Sequence, residues 1–290
     1  MLEELIKPYV EKITGAQAPR FEVKKLQGDA SSREYYRIQL SDVESGATSI
    51  ILMKFDPHTS GKSEEAAREL PPGEFPFISV LKYLELGGLR VPVLYYEDVG
   101  AGMVFLEDLG DVQVGNLVKD SDNDTRRKWY CKAIDLLVKF QRYNSQSKQK
   151  DFIGFNRGFA YDLLMWECDH YVEWGIEALY GKKLREPEIW PIQEYFERIC
   201  NGLTSMPQIL VHRDFQSRNM MVLPEEEIAL IDFQDALMGP WPYDLVALLR
   251  DSYVKLDDDL LDELIEYYCT TYEKEFETVI DRNSFKQAFY

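Results

Sequence analysis

Histidine and cysteine are scarce in this sequence, with three and four residues among 290. The cysteines form no C-x-x-C pair and stand in segments with helical periodicity: Cys131, Cys168, Cys200 and Cys269. A metal centre built on these residue types needs close ligand spacings that are missing here, and such a centre is disfavoured. We expect reduced, buried thiols in a cytoplasmic protein.

Positive charge and long apolar runs are also lacking. The sequence has 33 Lys and Arg against 51 Asp and Glu, which gives a formal net charge of -18. Nucleic-acid binding needs a basic surface, so we expect no nucleic-acid partner, whereas a nucleotide can bind through a local lysine and Mg²⁺. No apolar run is long enough to span a bilayer, so we expect no membrane partner. The start, M-L-E-E-L-I-K-P-Y-V, is acidic and amphipathic, unlike a signal peptide.

The hydrophobic periodicity changes near residue 108. Between Arg20 and Asp108, alternating and β-branched runs predict three strands, a helix and two more strands. The helix begins at Pro76 and ends at the glycine pair 87–88. Long helical patterns follow at 126–143, 159–180 and 187–203.

One β-rich stretch, 209–233, interrupts the helical half and predicts two short strands around a polar loop. We therefore predict an α+β fold. Residues 1–107 form a small antiparallel sheet with one helix, residues 108–290 are mainly helical, and a hinge lies at 105–110. The helical pattern of the last ten residues reaches Tyr290 without a stop signal, as expected of a chain that is cut short.

The polar loop H-R-D-F-Q-S-R-N carries the residues best suited to chemistry. Asn219 follows Asp214 by five residues, and Asp232 comes after the apolar strand I-A-L-I. In kinases an aspartate on such a loop takes the proton of the substrate hydroxyl, and an asparagine at this offset binds Mg²⁺. A carboxylate at a strand end supplies a second hard oxygen ligand. Each residue alone is an ordinary turn residue, but their order predicts Asp214 as catalytic base and Asn219 and Asp232 as metal ligands.

Two further residues admit a functional and a structural interpretation. A lone histidine after an apolar strand usually has a structural role, and we assign His212 to supporting the loop. Lys54 matches the kinase strand lysine that contacts the α- and β-phosphates, although many strands carry a solvent-facing lysine. Its carboxylate partner stays open among five glutamates: Glu64, Glu65, Glu69, Glu74 and Glu85.

Two loops complete the predicted nucleotide site. The turn G-D-A-S-S-R-E offers backbone N–H groups and the hydroxyls of Ser31 and Ser32 to phosphates. A plain hairpin turn explains it equally well, and its position between the first two strands favours the functional interpretation. In F-L-E-D-L-G, the backbone from Glu107 to Leu109 is suited to contact an adenine ring, the alternative being a simple linker. We expect ATP and Mg²⁺ as cofactors.

The run H-R-D-F-Q-S-R-N-M-M-V-L-P, followed by I-D-F-Q-D-A-L-M-G-P-W-P-Y-D-L-V-A-L-L-R-D, resembles the aminoglycoside phosphotransferase superfamily. It is most similar to the anomeric sugar kinases of bacterial cell-wall recycling, which phosphorylate N-acetylmuramate and N-acetylglucosamine at the C1 hydroxyl. The resemblance implies a bilobal protein-kinase-like fold, in-line transfer of the γ-phosphoryl group of ATP, and a small-molecule sugar substrate. It also implies that Asp244 is a buried carboxylate that supports the catalytic loop. A lysine at the position of Lys54 is not uniform in that branch.

The acceptor is the part that the residues determine least. Glu167 and Trp174 are candidates for sugar contacts, although aromatic residues at helical spacing more often belong to a core. Only 11 residues separate Asp232 from Asp244, which leaves little room for the activation loop of a protein kinase. A kinase of an aminoglycoside or choline-like metabolite and a non-catalytic nucleotide-binding scaffold stay open as alternatives. Nothing in the sequence indicates an oligomeric state.

Overall fold

The computed structural model describes residues 2–26, 33–41, 48–57 and 75–290. The chain divides into two compact units. The first comprises Met1–Gln113 and Met220–Ile231, and the second comprises Val114–Asn219 and Asp232–Tyr290. The division into functional lobes at residue 107 stays a prediction.

Strands and helices follow one another in the predicted general order. The strands are β1 (Arg20–Lys25), β2 (Glu34–Ser41), β3 (Ser49–Lys54), β4 (Leu94–Asp98), β5 (Met103–Glu107), β6 (Gln208–Val211), β7 (Met220–Val222), β8 (Ile228–Leu230) and β9 (Leu237–Pro240). The helices are α1 (Leu2–Thr14), α2 (Pro76–Leu86), α3 (Val114–Val118), α4 (Asn123–Gln146), α5 (Tyr161–His170), α6 (Glu186–Ser205), α7 (Tyr243–Leu249), α8 (Asp258–Phe276) and α9 (Arg282–Phe289).

The first unit is built on an antiparallel sheet with the strand order β1-β2-β3-β5-β4. Residues two apart on β2 and β3 point to the same face, and Ile38, Ile50 and Leu52 are buried there. Ile6 and Val10 of α1 pack against this cluster. Burying each such side chain contributes about 1.5–3 kcal/mol, so the amphipathic start of the sequence stabilises the sheet.

Helix α2 begins and ends where the sequence predicts. Proline occupies its first turn, and the chain leaves the helix through Gly87 and Gly88, the latter with a φ of 67°. Glycine adopts this left-handed conformation without steric cost, and the glycine pair therefore terminates the helix.

The stretch 209–233 contains three strands, whereas the sequence predicted two. β7 and β8 pair antiparallel over a short turn at Pro224–Glu226 and belong to the first unit. β6 pairs with β9, which the sequence analysis did not predict. The strands on either side of the polar loop thus have separate partners.

The second unit is mainly helical, and α4 packs against α8. Buried residues of the two helices meet at Tyr268, whose hydroxyl donates to Gln141 at 2.9 Å. Asp257 caps α8 by accepting the N–H of Leu260. The predicted helix 159–180 changes to a π-helix over Tyr171–Ala178.

The cysteines are free thiols, as predicted. Cys200 and Cys269 are buried, whereas Cys131 and Cys168 are only half-buried. In the part of the chain that the structure describes, every helix is too short or too polar to cross a bilayer.

Candidate active site

One buried carboxylate anchors the loop that follows β6. The backbone N–H groups of His212 and Arg213 donate to the two oxygens of Asp244 at 2.7 and 3.0 Å. Burial raises the pKa of Asp244 to about 7, and the two N–H donors oppose this shift because they favour the charged form. Arg213 has a φ of 79°, and its bond to Asp244 holds this unfavourable backbone conformation. The predicted supporting residue therefore contacts the loop backbone directly.

The three residues predicted for catalysis and metal binding lie in one hydrogen-bonded group. Nδ2 of Asn219 donates to the backbone oxygen of Asp214 at 2.9 Å and lies 3.4 Å from Oδ2 of Asp232. Asn219 ends the 3-10 turn Ser217–Asn219 and is buried. Both contacts use the amide nitrogen, so the side-chain oxygen of Asn219 is the atom suited to a cation.

The donor atoms at Asn219 and Asp232 fit magnesium. Oδ1 of Asp232 accepts from Nε2 of Gln234 at 3.0 Å, and Oδ2 faces Asn219. The Asn219 oxygen and Oδ2 of Asp232 are hard donors, and Mg²⁺ normally combines one or two protein carboxylates with waters and phosphates. No cluster of three His, Cys, Asp or Glu side chains suited to a metal ion exists among the described residues. A two-residue set is compatible with Mg²⁺ shared with a nucleotide.

Asp214 is in an electrostatic environment that favours its protonated form. Burial raises its pKa to about 6, and the negative charges of Asp232 and Asp235 add to this effect. Arg213 and Arg218 act in the opposite direction. A carboxylate with this pKa is ionised at pH 7 yet more basic than an exposed aspartate, which suits a general base.

His212 is a buried, neutral side chain. It is 1% exposed, and burial lowers its pKa to about 4. Its ring lies edge-on to Phe215 with centroids 5.7 Å apart, and neither ring nitrogen has a hydrogen-bond partner among the described residues. The contacts of His212 are therefore packing contacts within the loop.

Lys54 lies at the end of β3, opposite Glu34 on β2. Its Nζ is 3.9 Å from Oε2 of Glu34, and Oε1 of the same glutamate forms an ion pair with Nζ of Lys25 at 2.5 Å. Glu34 is not among the glutamates predicted from the sequence, because its proximity to Lys54 depends on the register of β2 and β3. Among the glutamates considered, Glu85 is exposed on α2, and the others lie outside the described residues: Glu64, Glu65, Glu69 and Glu74.

The two predicted phosphate-binding serines, Ser31 and Ser32, lie outside the described residues. The predicted adenine segment is described. The N–H of Glu107 donates to the Val93 oxygen at 2.9 Å, so this amide is used within the sheet. Leu109 is buried and packs against Met221 and Ala229. An adenine contact would therefore use other backbone groups of this segment, beside an apolar cluster.

Arg37 on β2 binds two aspartates of the segment that follows β5. Its Nη2 donates to Asp108 at 2.9 Å and to Asp111 at 2.8 Å, and its Nη1 donates to Asp111 at 3.0 Å. Asp108 also accepts the N–H of Gly110 at 3.0 Å, where the chain has a φ of 83°. One planar guanidinium thus binds two carboxylates, a geometry that lysine cannot provide. Sequence patterns do not predict this cluster, because Arg37 is more than 70 residues from both aspartates.

The two candidate acceptor residues lie in the second unit. Glu167 on α5 accepts from Nη2 of Arg213 at 2.9 Å, which links it to the residue before Asp214. Trp174 lies in the π-helical segment and is 60% exposed. An exposed indole is not a core residue, so the structure does not favour the packing alternative for Trp174.

Comparison of the sequence with known proteins identifies relatives. The family model described as phosphotransferase enzyme family matches residues 22–276. A protein of Neisseria meningitidis serogroup B, named N-acetylmuramate/N-acetylglucosamine kinase, is 27% identical over 252 residues, covering 86% of this chain and 67% of that protein. A protein of the same name from Pseudomonas aeruginosa is 27% identical over 82% of this chain and 62% of its own length. This chain thus spans about two thirds of the length of these curated relatives.

Solved structures share the fold. The choline kinase LicA from Streptococcus pneumoniae superposes with a TM-score of 0.62 at 16% identity, covering 99% of this chain and 85% of that chain. The ADP-bound aminoglycoside phosphotransferase APH(2'')-Ib gives a TM-score of 0.60 at 15% identity, covering 98% and 95%. The predicted α+β, bilobal protein-kinase-like fold is confirmed.

Proposed function

Because this chain belongs to the phosphotransferase enzyme family, we propose that it transfers the γ-phosphoryl group of ATP to a hydroxyl group of a small molecule. We further propose that the acceptor is an N-acetylated amino sugar, N-acetylmuramate or N-acetylglucosamine, phosphorylated at its anomeric hydroxyl. The names of the relatives in Neisseria meningitidis and Pseudomonas aeruginosa support this choice of acceptor.

The contact of Asn219 with both aspartates carries the proposal. Its amide nitrogen joins the backbone of Asp214 to the side chain of Asp232, at 2.9 and 3.4 Å. A general base and two oxygen ligands in one hydrogen-bonded group are the parts that phosphoryl transfer requires. A scaffold that only binds a nucleotide does not need the base.

In this mechanism the side chains position and polarise the reactants. Asp214 orients the acceptor hydroxyl and takes its proton, while Asn219 and Asp232 hold the metal ion. When bound, Mg²⁺ neutralises the negative charge of the β- and γ-phosphates. Positioning of this kind makes transfer effectively intramolecular, without a covalent enzyme intermediate.

Residues of the first unit are proposed to bind ATP. Lys54, oriented by Glu34, contacts phosphate oxygens, and Ser31 and Ser32 offer further donors to them. The backbone between Glu107 and Leu109 receives the adenine. Glu167 and Trp174 of the second unit are proposed to contact the sugar.

A panel of acceptors tests the function. The purified chain is incubated with ATP, Mg²⁺ and, separately, N-acetylmuramate, N-acetylglucosamine, choline or kanamycin, and ADP formation is measured. We expect the amino sugars to accelerate ADP formation and the product to carry phosphate on C1, as seen by ³¹P NMR. The methyl glycoside of N-acetylglucosamine is the matched control, because its anomeric oxygen has no proton to transfer.

Two outcomes would contradict the proposal. Turnover of choline or kanamycin alone would assign a different acceptor. ATP binding without turnover of any panel member would favour the scaffold.

A further inference from the structure

Gln234 lies four residues beyond the end of β8, and its side chain bridges two carboxylates. Its Nε2 donates to Oδ1 of Asp232 at 3.0 Å and to Oδ2 of Asp235 at 3.1 Å. The Gln234 side chain is 6% exposed, and both bonds are partly buried. In such surroundings they constrain the two carboxylates more than exposed bonds would.

The backbone around Gln234 is held independently. Nη2 of the buried Arg157 donates to the backbone oxygens of Gln234 and Ala236, at 3.1 and 2.9 Å. The N–H of Ala236 donates to the Phe233 oxygen at 3.1 Å, which closes a turn. Because these bonds fix the backbone of the turn, the Gln234 side chain starts from a fixed position, and its amide can contact both carboxylates.

A neutral donor is the chemically suitable bridge here. Its two N–H groups satisfy one oxygen of each carboxylate and reduce their mutual repulsion. A lysine or arginine would do the same but would add a positive charge beside a cation site. The orientation has a cost, because Oε1 of Gln234 is buried without a hydrogen-bond partner among the described residues.

The bridge occupies Oδ1 of Asp232, so Oδ2, which accepts only the longer bond from Asn219, keeps a lone pair for a ligand. Oδ1 is bonded to Gln234, whereas Oδ2 faces Asn219 at 3.4 Å. We propose that Gln234 is a positioning residue that fixes the carboxylate of Asp232, and through the same amide that of Asp235, so that Asp232 presents Oδ2 to the magnesium ion of the nucleotide. This inference rests on the proposed function, because it takes Asp232 as a metal ligand.

The test measures metal-dependent nucleotide binding without turnover. Gln234→Met keeps the length and approximate volume of the side chain but removes both N–H donors. Calorimetry with a non-hydrolysable ATP analogue at increasing MgCl₂ gives the Mg²⁺ concentration for half-maximal binding. We expect this concentration to rise about tenfold, the effect of losing a residue that orients a metal ligand. Binding of the analogue in the absence of Mg²⁺ should not change.

A matched control separates positioning from stability. Gln141 is also a buried glutamine of the second unit and accepts from Tyr268 at 2.9 Å, in a contact between α4 and α8. Gln141→Met should lower the melting temperature without changing the Mg²⁺ titration. If Gln234→Met does not fold, Gln234→Asn replaces it. Its shorter amide cannot span both carboxylates, so the half-maximal Mg²⁺ concentration should rise as well.

The proposed function and this inference can fail separately. If Asp232→Asn shifts the Mg²⁺ titration but Gln234→Met and Gln234→Asn behave like wild type, the positioning role is overturned. If Asp232→Asn also leaves the titration unchanged, Asp232 is not a metal ligand. In that case the proposed metal site fails together with the inference.

Discussion

Asp214 is a half-buried carboxylate on the loop after β6 and Asp244 a fully buried one that contacts it, and their partners give them different roles. Asp244 accepts two backbone N–H groups, at 2.7 and 3.0 Å, and these bonds fix the loop. Asp214 lies in the field of two other carboxylates, Asp232 and Asp235, which adds to the effect of burial on its pKa. The first arrangement stabilises the backbone, and the second makes a carboxylate basic.

Replacing Asp214 by Asn should therefore remove activity and increase stability at the same time. The folded-state pKa of about 6 is above the ordinary value of 3.8. The stabilising contribution of the bound proton is complete below about pH 3.8 and is lost as the pH rises through about 6. Above that pH the ionised side chain destabilises the folded state, by up to about 3 kcal/mol.

Urea unfolding of Asp214→Asn without nucleotide or metal, at pH 8 and near pH 4, measures this effect. We expect a higher free energy of unfolding than wild type at pH 8 and little difference near pH 4. Turnover of the true acceptor should fall at least ~10²-fold, because the general base is gone. A variant that turns over normally, or that is less stable than wild type at pH 8, would contradict the role of Asp214.

At the scale of elements, the register of the first sheet decides which side chains meet. β2 and β3 pair with Glu34 opposite Lys54 and Arg37 opposite Ile51. Strand positions are readable from the period-two pattern, but the register depends on how the turn between the strands is formed. The sequence therefore predicted that Lys54 lies on a strand, but it did not predict that Glu34 is its partner. The order of Asp214, Asn219 and Asp232 was readable because it is a local spacing, whereas the bridge made by Gln234 depends on side-chain directions.

The strand β9 was not predicted, because its residues do not favour a strand by themselves. L-M-G-P contains a glycine and a proline, which disfavour strands, yet it pairs with β6 as β9. At Gly239 a Cβ would lie 2.8 Å from Val211, so the glycine permits the close approach that this pairing requires. Tertiary contact thus overrides the local preference of this segment.

Arg37 gives a prediction at this scale for the segment after β5. Arg37→Lys keeps the charge but loses the planar fork whose N–H groups bind Asp108 and both oxygens of Asp111, so the proposed adenine segment should be held less firmly. We expect the Kd for ATP to rise by about tenfold and the KM for the acceptor to stay unchanged, because a bidentate, partly buried pair is worth roughly 1–2 kcal/mol. Calorimetry with ATP and steady-state kinetics measure the two constants.

The control is Lys82→Met, which removes the exposed pair with Glu97 in the same unit. Exposed pairs contribute about 0–1 kcal/mol, so this variant should bind ATP like wild type. If Arg37→Lys and Lys82→Met bind ATP equally well and only Arg37→Lys has a lower melting temperature, Arg37 has a structural role and no role in ATP binding.

At the scale of the whole molecule, two electrostatic effects oppose each other. The excess of 51 acidic over 33 basic residues gives a net charge of -18, whose self-repulsion destabilises the folded state. Ion pairs work against it, for example Arg282 with Glu266 and Glu273, and Arg127 with Glu263. Salt screens both effects. Ion pairs at the protein surface each contribute only about 0–1 kcal/mol, so we expect the self-repulsion to dominate.

Added salt should therefore stabilise the protein near pH 8. Raising NaCl from low to moderate concentration is expected to increase the melting temperature by a few degrees, at roughly 2–4 °C per kcal/mol for a chain of this size class. The same titration near the sequence pI of about 4.7 is the control, because the net charge is close to zero there and the gain should disappear. A melting temperature that falls with NaCl at pH 8 would mean that the ion pairs outweigh the net charge. An equal rise at both pH values would point to a general salting effect on apolar burial instead.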